Sequence, residues 1–199
     1  MTNNAAVVPR PWDSVATHLP PHAMYRLRLA EQADIATLQD LIARSGRALS
    51  VGYYTPEQAE AISRHVFGVD TQLIEDRTYY VVEGAGEIVG CGGWSGRRTL
   101  FGGDQTKHGA DPRLDPATEP ARIRAFFVDP AHARRGLAHT ILDACLDAAR
   151  QAGFASIELA ATLPGEPFYR RYGFEADERF EIELPGAVQV PLVRMHRMI

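Results

Sequence analysis

The feature that most constrains the fold is a strand–helix–strand unit in the middle of the chain. The apolar-rich run Ala121–Val128 predicts a strand, which Asp129 and Pro130 bring to an end. From Gly136 to Ala152, apolar residues recur every three or four positions, which predicts an amphipathic helix. Ser156–Ala161 predicts the next strand. Two strands joined by a helix in this way lie parallel in one sheet, with a right-handed crossover.

The segments on either side of this unit predict that the sheet is mixed. Two helices are expected before it, one beginning near Asp34 and ending around Gly46, the other capped by Thr55 with Gln58 three residues later. The remaining strands are expected at Tyr25–Leu29, in a hairpin of Thr78–Glu83 with Glu87–Trp94, and in a final hairpin of Phe174–Leu184 with Val188–His196. A short helix is expected around Glu166–Tyr172. The fold class is therefore α/β, of the α+β type with a mixed sheet.

The length of 199 residues, with 45% hydrophobic and 23% charged residues, suits one globular domain. We place that domain at residues 23–199. Residues 1–22, which are polar and rich in proline, are interpreted as an extended or disordered arm that Trp12 could attach to the body. Ser95–Pro120 is rich in Gly, Pro, Asp and Thr, so it is either a substrate lid or a disordered insertion.

Composition disfavours several classes of function. A formal net charge of -4 disfavours nonspecific binding to the phosphates of nucleic acid. No run of residues is long and apolar enough to span a membrane. The N-terminus lacks the pattern of a signal peptide, so the cytoplasm is the expected location. Cys91 and Cys145 have no metal-binding or redox spacing and are expected to be buried hydrophobes. No metal site is expected.

The loop between the central strand and its helix carries the first chemical signal. A helix that begins at Gly136 presents unpaired backbone amides with partial positive charge, and such helix ends bind phosphate. Arg134 and Arg135 could add charge-assisted hydrogen bonds. A plain turn with two solvated arginines is the alternative. The spacing is neither that of a P-loop nor that of a dinucleotide fingerprint, so the phosphate belongs to another kind of ligand.

Two motifs give this loop a context. The segment R-A-F-F-V-D-P-A-H-A-R-R-G-L-A (Arg124 to Ala138) resembles the acetyl-CoA signature of the GNAT acetyltransferases, with Gly136 and Ala138 at its last two fixed positions. Ala133 departs from the Gln or Arg that is usual in the family. Farther along, E-P-F-Y-R-R-Y-G-F (Glu166 to Phe174) resembles the family's F-Y-x-x-x-G-F segment. The order of elements from Tyr25 onward is similar as well.

The resemblance implies a GNAT-like fold in which a central mixed sheet, flanked by helices, contains a splayed parallel strand pair. It also implies acetyl-CoA as co-substrate, with pantetheine between Phe126–Val128 and the strand near Ala160. The residues that it assigns to the cofactor are Phe126, Phe127, Val128, Arg134, Arg135, Gly136, Leu137, Ala138 and His139. Tyr169 matches the tyrosine that protonates the leaving thiolate in the family. A phenol can play this role because it is protonated at neutral pH and can donate. Tyr172 lies next to the motif but off it.

The acceptor side is less well defined. The resemblance implies a small-molecule or peptide amine acceptor and a possible homodimer. By position, Glu83, Glu119 and Glu158 are the candidate general bases; the alternative for each is a surface or structural carboxylate. Strict alternation would place Arg122, Arg124 and Phe126 on one face of their strand, where two arginines would favour an anionic acceptor or would simply be paired or solvated. Tyr53, Tyr54 and Trp94 could line the acceptor pocket, and packing in the core or at its rim is the alternative for each. A non-catalytic acyl-CoA-binding module and a protein lysine or N-terminal acetyltransferase remain alternatives.

Overall fold

A computed structural model describes residues 25–107 and 109–199, which form a seven-stranded mixed sheet with helices on both faces. The predicted arm of residues 1–22, with Trp12, lies outside the described residues. The strands are β1 (Tyr25–Leu29), β2 (Tyr79–Gly84), β3 (Glu87–Ser95), β4 (Ala121–Val128), β5 (Ser156–Thr162), β6 (Glu175–Leu184) and β7 (Val188–Met198). The helices are α1 (Ile35–Ser50), α2 (Pro56–His65), α3 (Thr71–Glu75), α4 (Leu137–Gln151) and α5 (Glu166–Arg171).

The strand order is β1-β2-β3-β4-β5-β7-β6, and β4 runs parallel to β5 while the other neighbouring pairs are antiparallel. The predicted strands and the crossover helix are therefore confirmed, with boundary differences of a few residues. Helix α3 was not predicted, because five residues are too few to show a helical period. Within the described residues, no helix has the length and apolar character needed to cross a membrane.

The first two long helices differ in whether a side chain caps their N-terminus. The predicted capping box of α2 is confirmed: the Thr55 hydroxyl accepts from the Gln58 amide at 3.2 Å, and the Gln58 side chain accepts from the Thr55 amide at 3.1 Å. Asp34 occupies the position before α1, as predicted, but its carboxylate does not cap that helix. It accepts instead from the Arg28 guanidinium at 2.7 and 2.9 Å and from the Glu31 amide at 2.8 Å.

The two faces of the sheet are covered by different helices. Helix α4 covers one face with a fully apolar stripe that includes Ile141, Leu142 and Cys145. Helices α1 and α3 cover the other face, where Cys91 is buried. Burial raises the pKa of both thiols, Cys91 to about 12, so both cysteines stay protonated and behave as the buried hydrophobes that the sequence predicts.

A bulge in β4 changes which way its side chains point. Ala125 has a positive φ of 52°, and the register of β4 against β3 shifts at this point. The buried Tyr79 hydroxyl donates to the Ala125 carbonyl at 3.1 Å and holds the bulge. Phe126 consequently packs with the α4 side, whereas Arg124 lies on the opposite face. The prediction that these two residues share a face is wrong, because the bulge inserts one extra residue.

The parallel strands separate from each other along their length. Backbone pairing joins Ala121 to Ile157 and Arg122 to Glu158, and the later residues of β4 have moved away from β5. A bulge bends its strand and increases the local twist, which is the physical cause of this separation. The splayed pair that the sequence resemblance implied is therefore present, and Phe126–Val128 borders the gap.

Segment 95–120 is folded against the body of the protein, apart from residue 108, which lies outside the described residues. The Arg124 guanidinium is buried and donates to the Thr99 carbonyl at 2.8 Å, to the Gly102 carbonyl at 2.6 Å and to the Asp70 carboxylate at 2.8 Å. At the start of the segment, Arg97 contacts Asp76 at 2.5 and 2.8 Å. The structure thus contradicts the disordered insertion, while the lid remains a prediction.

Candidate active site

The gap between β4 and β5 opens into a cleft of about 630 Å³ that reaches both faces of the sheet. On the α4 side it is lined by Leu137, Phe168 and Tyr169. On the other side it is lined by residues from α2, such as Ile62, and by Phe101 from segment 95–120. A ligand could therefore enter from one face while a second ligand approaches it from the other.

The loop before α4 has the backbone conformation of an anion site. Gly136 precedes the first residue of the 15-residue helix and has a φ of 83°, and Arg134 also has a positive φ, of 63°. Left-handed residues near a helix start turn successive amides toward one side, which forms a concave site for phosphate. A side chain built on Gly136 would meet nothing within 4 Å, so the space over this loop is open. The Asp129 side chain fixes the preceding turn by accepting from the Ala131 amide at 2.9 Å.

The basic side chains at this end of the cleft differ from the predicted pair, Arg134 and Arg135. Arg134, His132 and His139 line the cleft, as does Arg171 from the last turn of α5. The Arg135 guanidinium instead donates to the Tyr25 hydroxyl at 3.0 Å, so its predicted contact with the ligand would have to come from its backbone. Arg171 escaped the sequence analysis because it lies between the fixed positions of its motif.

The structure brings most of the predicted cofactor residues together around one cleft. Those that line it are Phe126, Phe127, Val128, Arg134, Gly136, Leu137, Ala138 and His139. They combine an apolar channel beside β4 with a cationic, amide-rich end at α4. This combination fits a ligand that has a thin polar chain at one end and phosphate groups at the other.

Tyr169 lies inside the cleft, opposite the free part of β4. Its side chain is 8% exposed, and its ring packs against Phe126, Phe168 and Phe174 with ring centres 6.4, 5.1 and 5.6 Å away. Burial raises the pKa of the Tyr169 phenol well above its ordinary value, and the buried Cys145 thiol adds to the shift. The group is therefore protonated at neutral pH and retains a proton to donate.

Tyr172 has a different environment although it is one turn away. Its hydroxyl lies 3.0 Å from an Asp143 carboxylate oxygen, and its ring centre lies 4.9 Å from that of His139. Burial, followed by the bond to Asp143, raises its pKa to about 12. Tyr172 thus fastens α5 to the start of α4 outside the cleft.

The three glutamates that were candidates for a general base are all engaged in ion pairs. Glu83 accepts from Arg28 at 2.6 Å, and Glu119 lies 3.5 Å from Arg98. Glu158 is buried between Arg122 and Arg194. In the part of the chain that the structure describes, all three lie away from the cleft, so none of them is positioned to take a proton from a substrate there.

Of the residues expected to form the acceptor pocket, only Tyr54 lines the cleft. Tyr53 is half exposed to solvent, and Trp94 packs against Phe154 beneath the α4 side, with ring centres 6.0 Å apart. The guanidinium groups of Arg122 and Arg124 both form ion pairs with buried carboxylates. Neither arginine is therefore free to bind an anionic acceptor, and the structure does not support that prediction.

Comparisons with known proteins agree with this geometry. Residues 43–174 match the model of the acetyltransferase (GNAT) family. A GCN5-related N-acetyltransferase from Rhodopseudomonas palustris is similar in structure, with a TM-score of 0.65 and 17% identity over 87% of this chain and 95% of that one. A GCN5-related N-acetyltransferase from Kribbella flavida has a TM-score of 0.56 and 20% identity over 89% of this chain and 99% of that one. The PaiA N-acetyltransferase of Thermoplasma acidophilum, in complex with coenzyme A, has a TM-score of 0.59 and 12% identity over 88% of this chain and 99% of that one. No curated protein matches the sequence.

The mixed sheet with its splayed parallel pair, and the loop at the start of α4 beside it, define the class of fold, which agrees with that of these acetyltransferases. The chain belongs to the acetyltransferase (GNAT) family, because the family model covers most of its length. It is accordingly an acetyl-CoA-dependent N-acetyltransferase. Among residues 25–107 and 109–199, no cluster of three metal-ligating side chains is present.

Proposed function

We propose that this protein transfers an acetyl group from acetyl-CoA to a primary amine by direct attack of the amine on the thioester. The observation that carries the proposal is that one cleft joins the amide-rich loop at Gly136, the unpaired end of β4 and the buried phenol of Tyr169. An open passage through the sheet lets the amine reach the thioester from the face opposite the cofactor. We also propose a cytoplasmic location, as expected from the sequence, and a homodimer, which only the family resemblance implies.

The pyrophosphate and the pantetheine arm of coenzyme A each have a counterpart in the cleft. The pyrophosphate would bind the backbone amides of residues 134–139, with Arg134 and Arg171 supplying charge. The pantetheine arm would lie along Phe126–Val128, where β4 pairs with β3 on one side and leaves the backbone groups that face β5 unpaired with that strand and free to bond the arm. These amides would also polarise the thioester carbonyl and stabilise the oxyanion that forms upon attack.

The chemistry requires one bond to form, one to break and one proton to move to sulfur. The amine nitrogen bonds to the acetyl carbon, and the carbon–sulfur bond then breaks. Tyr169 donates its proton to the departing sulfur, and the surplus proton of the new amide passes to water, from which the phenol is reprotonated. The reaction is balanced without a metal or an external base if the amine arrives in its neutral form.

The proposal is tested with purified full-length protein, acetyl-CoA and a panel of amines. Free thiol is measured continuously, and calorimetry measures coenzyme A binding separately. Thiol release that requires an amine, together with the acetylated amine detected by mass spectrometry, supports the proposal. Coenzyme A binding without turnover of any amine would instead favour a non-catalytic acyl-CoA-binding module. That second candidate is considered because the three candidate base carboxylates are all in ion pairs.

A further inference from the structure

The half of the cleft opposite α4 is built from apolar and aromatic side chains that come from well-separated parts of the chain. We call it the acceptor half, and it consists of Leu49, Tyr54, Ile62, Val66, Phe67, Phe101 and Leu192. Ile62, Val66 and Leu192 are almost fully buried, with exposures of 0%, 6% and 2%. Phe67 packs edge-on against Phe127, with ring centres 5.2 Å apart, so an aromatic wall continues up to the free end of β4.

The hydroxyl groups of Tyr54 and Ser50 in this region are already engaged within the protein. The Tyr54 hydroxyl donates to the Pro191 carbonyl at 3.0 Å and accepts from the Leu163 amide at 3.0 Å. The Ser50 hydroxyl, at the neighbouring end of α1, donates to the Gly46 carbonyl at 2.8 Å. An ammonium group that entered would exchange water for apolar carbon, at a cost of several kcal/mol by the usual scale for an unpaired buried charge.

The chain next to Leu49, which lines the acceptor half, exposes further apolar side chains. Leu49, Val51 and Tyr53 follow one another at the end of α1 and are 47%, 78% and 50% exposed. They make up most of the large hydrophobic side chains that the described residues expose. These residues form an exposed apolar surface that includes the cleft-lining Leu49, and such a surface favours an apolar ligand.

We propose that the acceptor is a small amine with an aromatic or otherwise apolar body, and that its amino group is neutral near pH 7. Arylamines have this chemistry, whereas polyamines and lysine side chains do not. The apolar body would be held by Phe67, Phe101 and Leu192, with the amine pointing toward the thioester beside β4. This inference rests on the proposed acetyl transfer, and it adds the class of acceptor.

A neutral acceptor removes the need for a base in the cleft. A weakly basic amine already carries the lone pair that attacks, so its proton does not have to be removed first. The value of kcat/KM for such an acceptor should therefore be nearly constant between about pH 6.5 and 8. For a strongly basic alkylamine in the same site, it should rise about tenfold per pH unit, because only the small neutral fraction reacts.

The experiment compares matched amines at constant acetyl-CoA: two ring-substituted anilines against spermidine and Nα-acetyl-lysine amide. We expect kcat/KM to be at least about tenfold higher for the first pair of probes, with the flat pH profile described above. Turnover of spermidine or the lysine probe at equal or higher kcat/KM would overturn the acceptor class and leave acetyl transfer intact. Turnover of no probe, with normal coenzyme A binding, would count against both proposals.

A pair of variants at Phe101 tests whether the apolar wall makes the selection. Phe101 is half buried in segment 95–120, so a change there spares the core. Phe101→Glu should lower kcat/KM for the anilines by about tenfold or more and reduce the preference over spermidine, because the new carboxylate attracts an ammonium. Phe101→Leu keeps the wall apolar and should retain the preference. An unchanged preference in Phe101→Glu, with melting temperature and coenzyme A affinity retained, would contradict the proposal.

Discussion

The two halves of the cleft are built in different ways. The cofactor half is made mainly from one continuous stretch, from Phe126 to His139, and it presents backbone amides beside the cationic side chains of Arg134 and Arg171. The acceptor half is assembled from α1, α2, segment 95–120 and β7, and it presents apolar side chains. The difference shows how one fold can keep its cofactor and change its acceptor: backbone amides are available from any sequence, whereas a side-chain wall changes with each substitution.

Tyr169 lies where the two halves meet, and its removal is expected to have the largest effect. Tyr169→Phe keeps the ring and its packing while removing the proton donor. A positioned acid contributes roughly 10²–10⁴-fold, so the single-turnover rate should fall by about that factor while coenzyme A affinity changes little. Rapid-quench measurement of the acetylated amine reports this step even when product release limits the steady state.

Tyr172→Phe is the matched control for this variant. It removes a hydroxyl that bonds Asp143 outside the cleft, so it should cost some stability and little catalytic rate. Full single-turnover activity in Tyr169→Phe would show that the tyrosine only packs and that the thiolate takes its proton from water.

The acceptor half depends on a buried ion pair that anchors segment 95–120. Arg124 and Asp70 are each 1% exposed at the side chain and lie 2.8 Å apart, and Arg124 also holds two carbonyls of segment 95–120. Arg124→Met leaves the Asp70 carboxylate with Lys107 and removes the anchor of the segment. Breaking such a pair typically costs about 3–5 kcal/mol of unfolding free energy.

Urea denaturation should show this loss, and hydrogen exchange should show faster exchange in residues 99–102. Arg64→Met is the control, because Arg64 forms an exposed pair with Glu60 and contributes at most about 1 kcal/mol. Equal stability of Arg124→Met and Arg64→Met would mean that segment 95–120 is held by other contacts.

The cofactor half is tested by two glycines that share a backbone conformation. Gly136 and Gly86 have φ values of 83° and 84°, and a Cβ on either would meet nothing within 4 Å. Gly136→Ala and Gly86→Ala should therefore lose similar stability, about 1 kcal/mol each, from left-handed strain. Only Gly136→Ala should weaken coenzyme A binding, by about tenfold in calorimetry, because its methyl group stands where the pyrophosphate approaches the amides. Equal affinities in the two variants would remove the pyrophosphate from this loop.

The smallest expected effect is a loss of stability in acid at the base of segment 95–120. The bond to Arg97 lowers the pKa of Asp76 in the folded state. The resulting stabilisation is present above the unfolded pKa of about 3.9 and is lost as the pH falls through the lower folded value. Asp76→Asn should be less stable than wild type at pH 7, and this difference should shrink below pH 4. A difference that does not vary with pH would exclude the ion pair as its source.

Much of the cofactor half could be predicted from sequence, because its parts are neighbours in the chain. A strand ended by Asp129 and Pro130, followed by a glycine at the start of an amphipathic helix, predicted both the crossover and the open amides at Gly136. The geometry of such a loop depends on local φ values and helix periodicity, which short stretches of sequence encode. The side-chain direction of Arg135 was missed, because its partner Tyr25 is 110 residues away.

The acceptor half was decided only by the tertiary structure. Strict alternation along β4 misplaced Phe126 relative to Arg124, because the bulge at Ala125 is held by a hydroxyl from another strand, that of Tyr79. The sequence contains Arg124, but it could not show that the guanidinium group would be buried in an ion pair with Asp70, which lies 54 residues earlier. The amino-acid sequence by itself therefore determined the elements, the crossover and the cofactor loop, since these follow from local periodicity and turn chemistry. The apolar character of the acceptor half arose only when distant segments packed together and buried the charges of their own arginines.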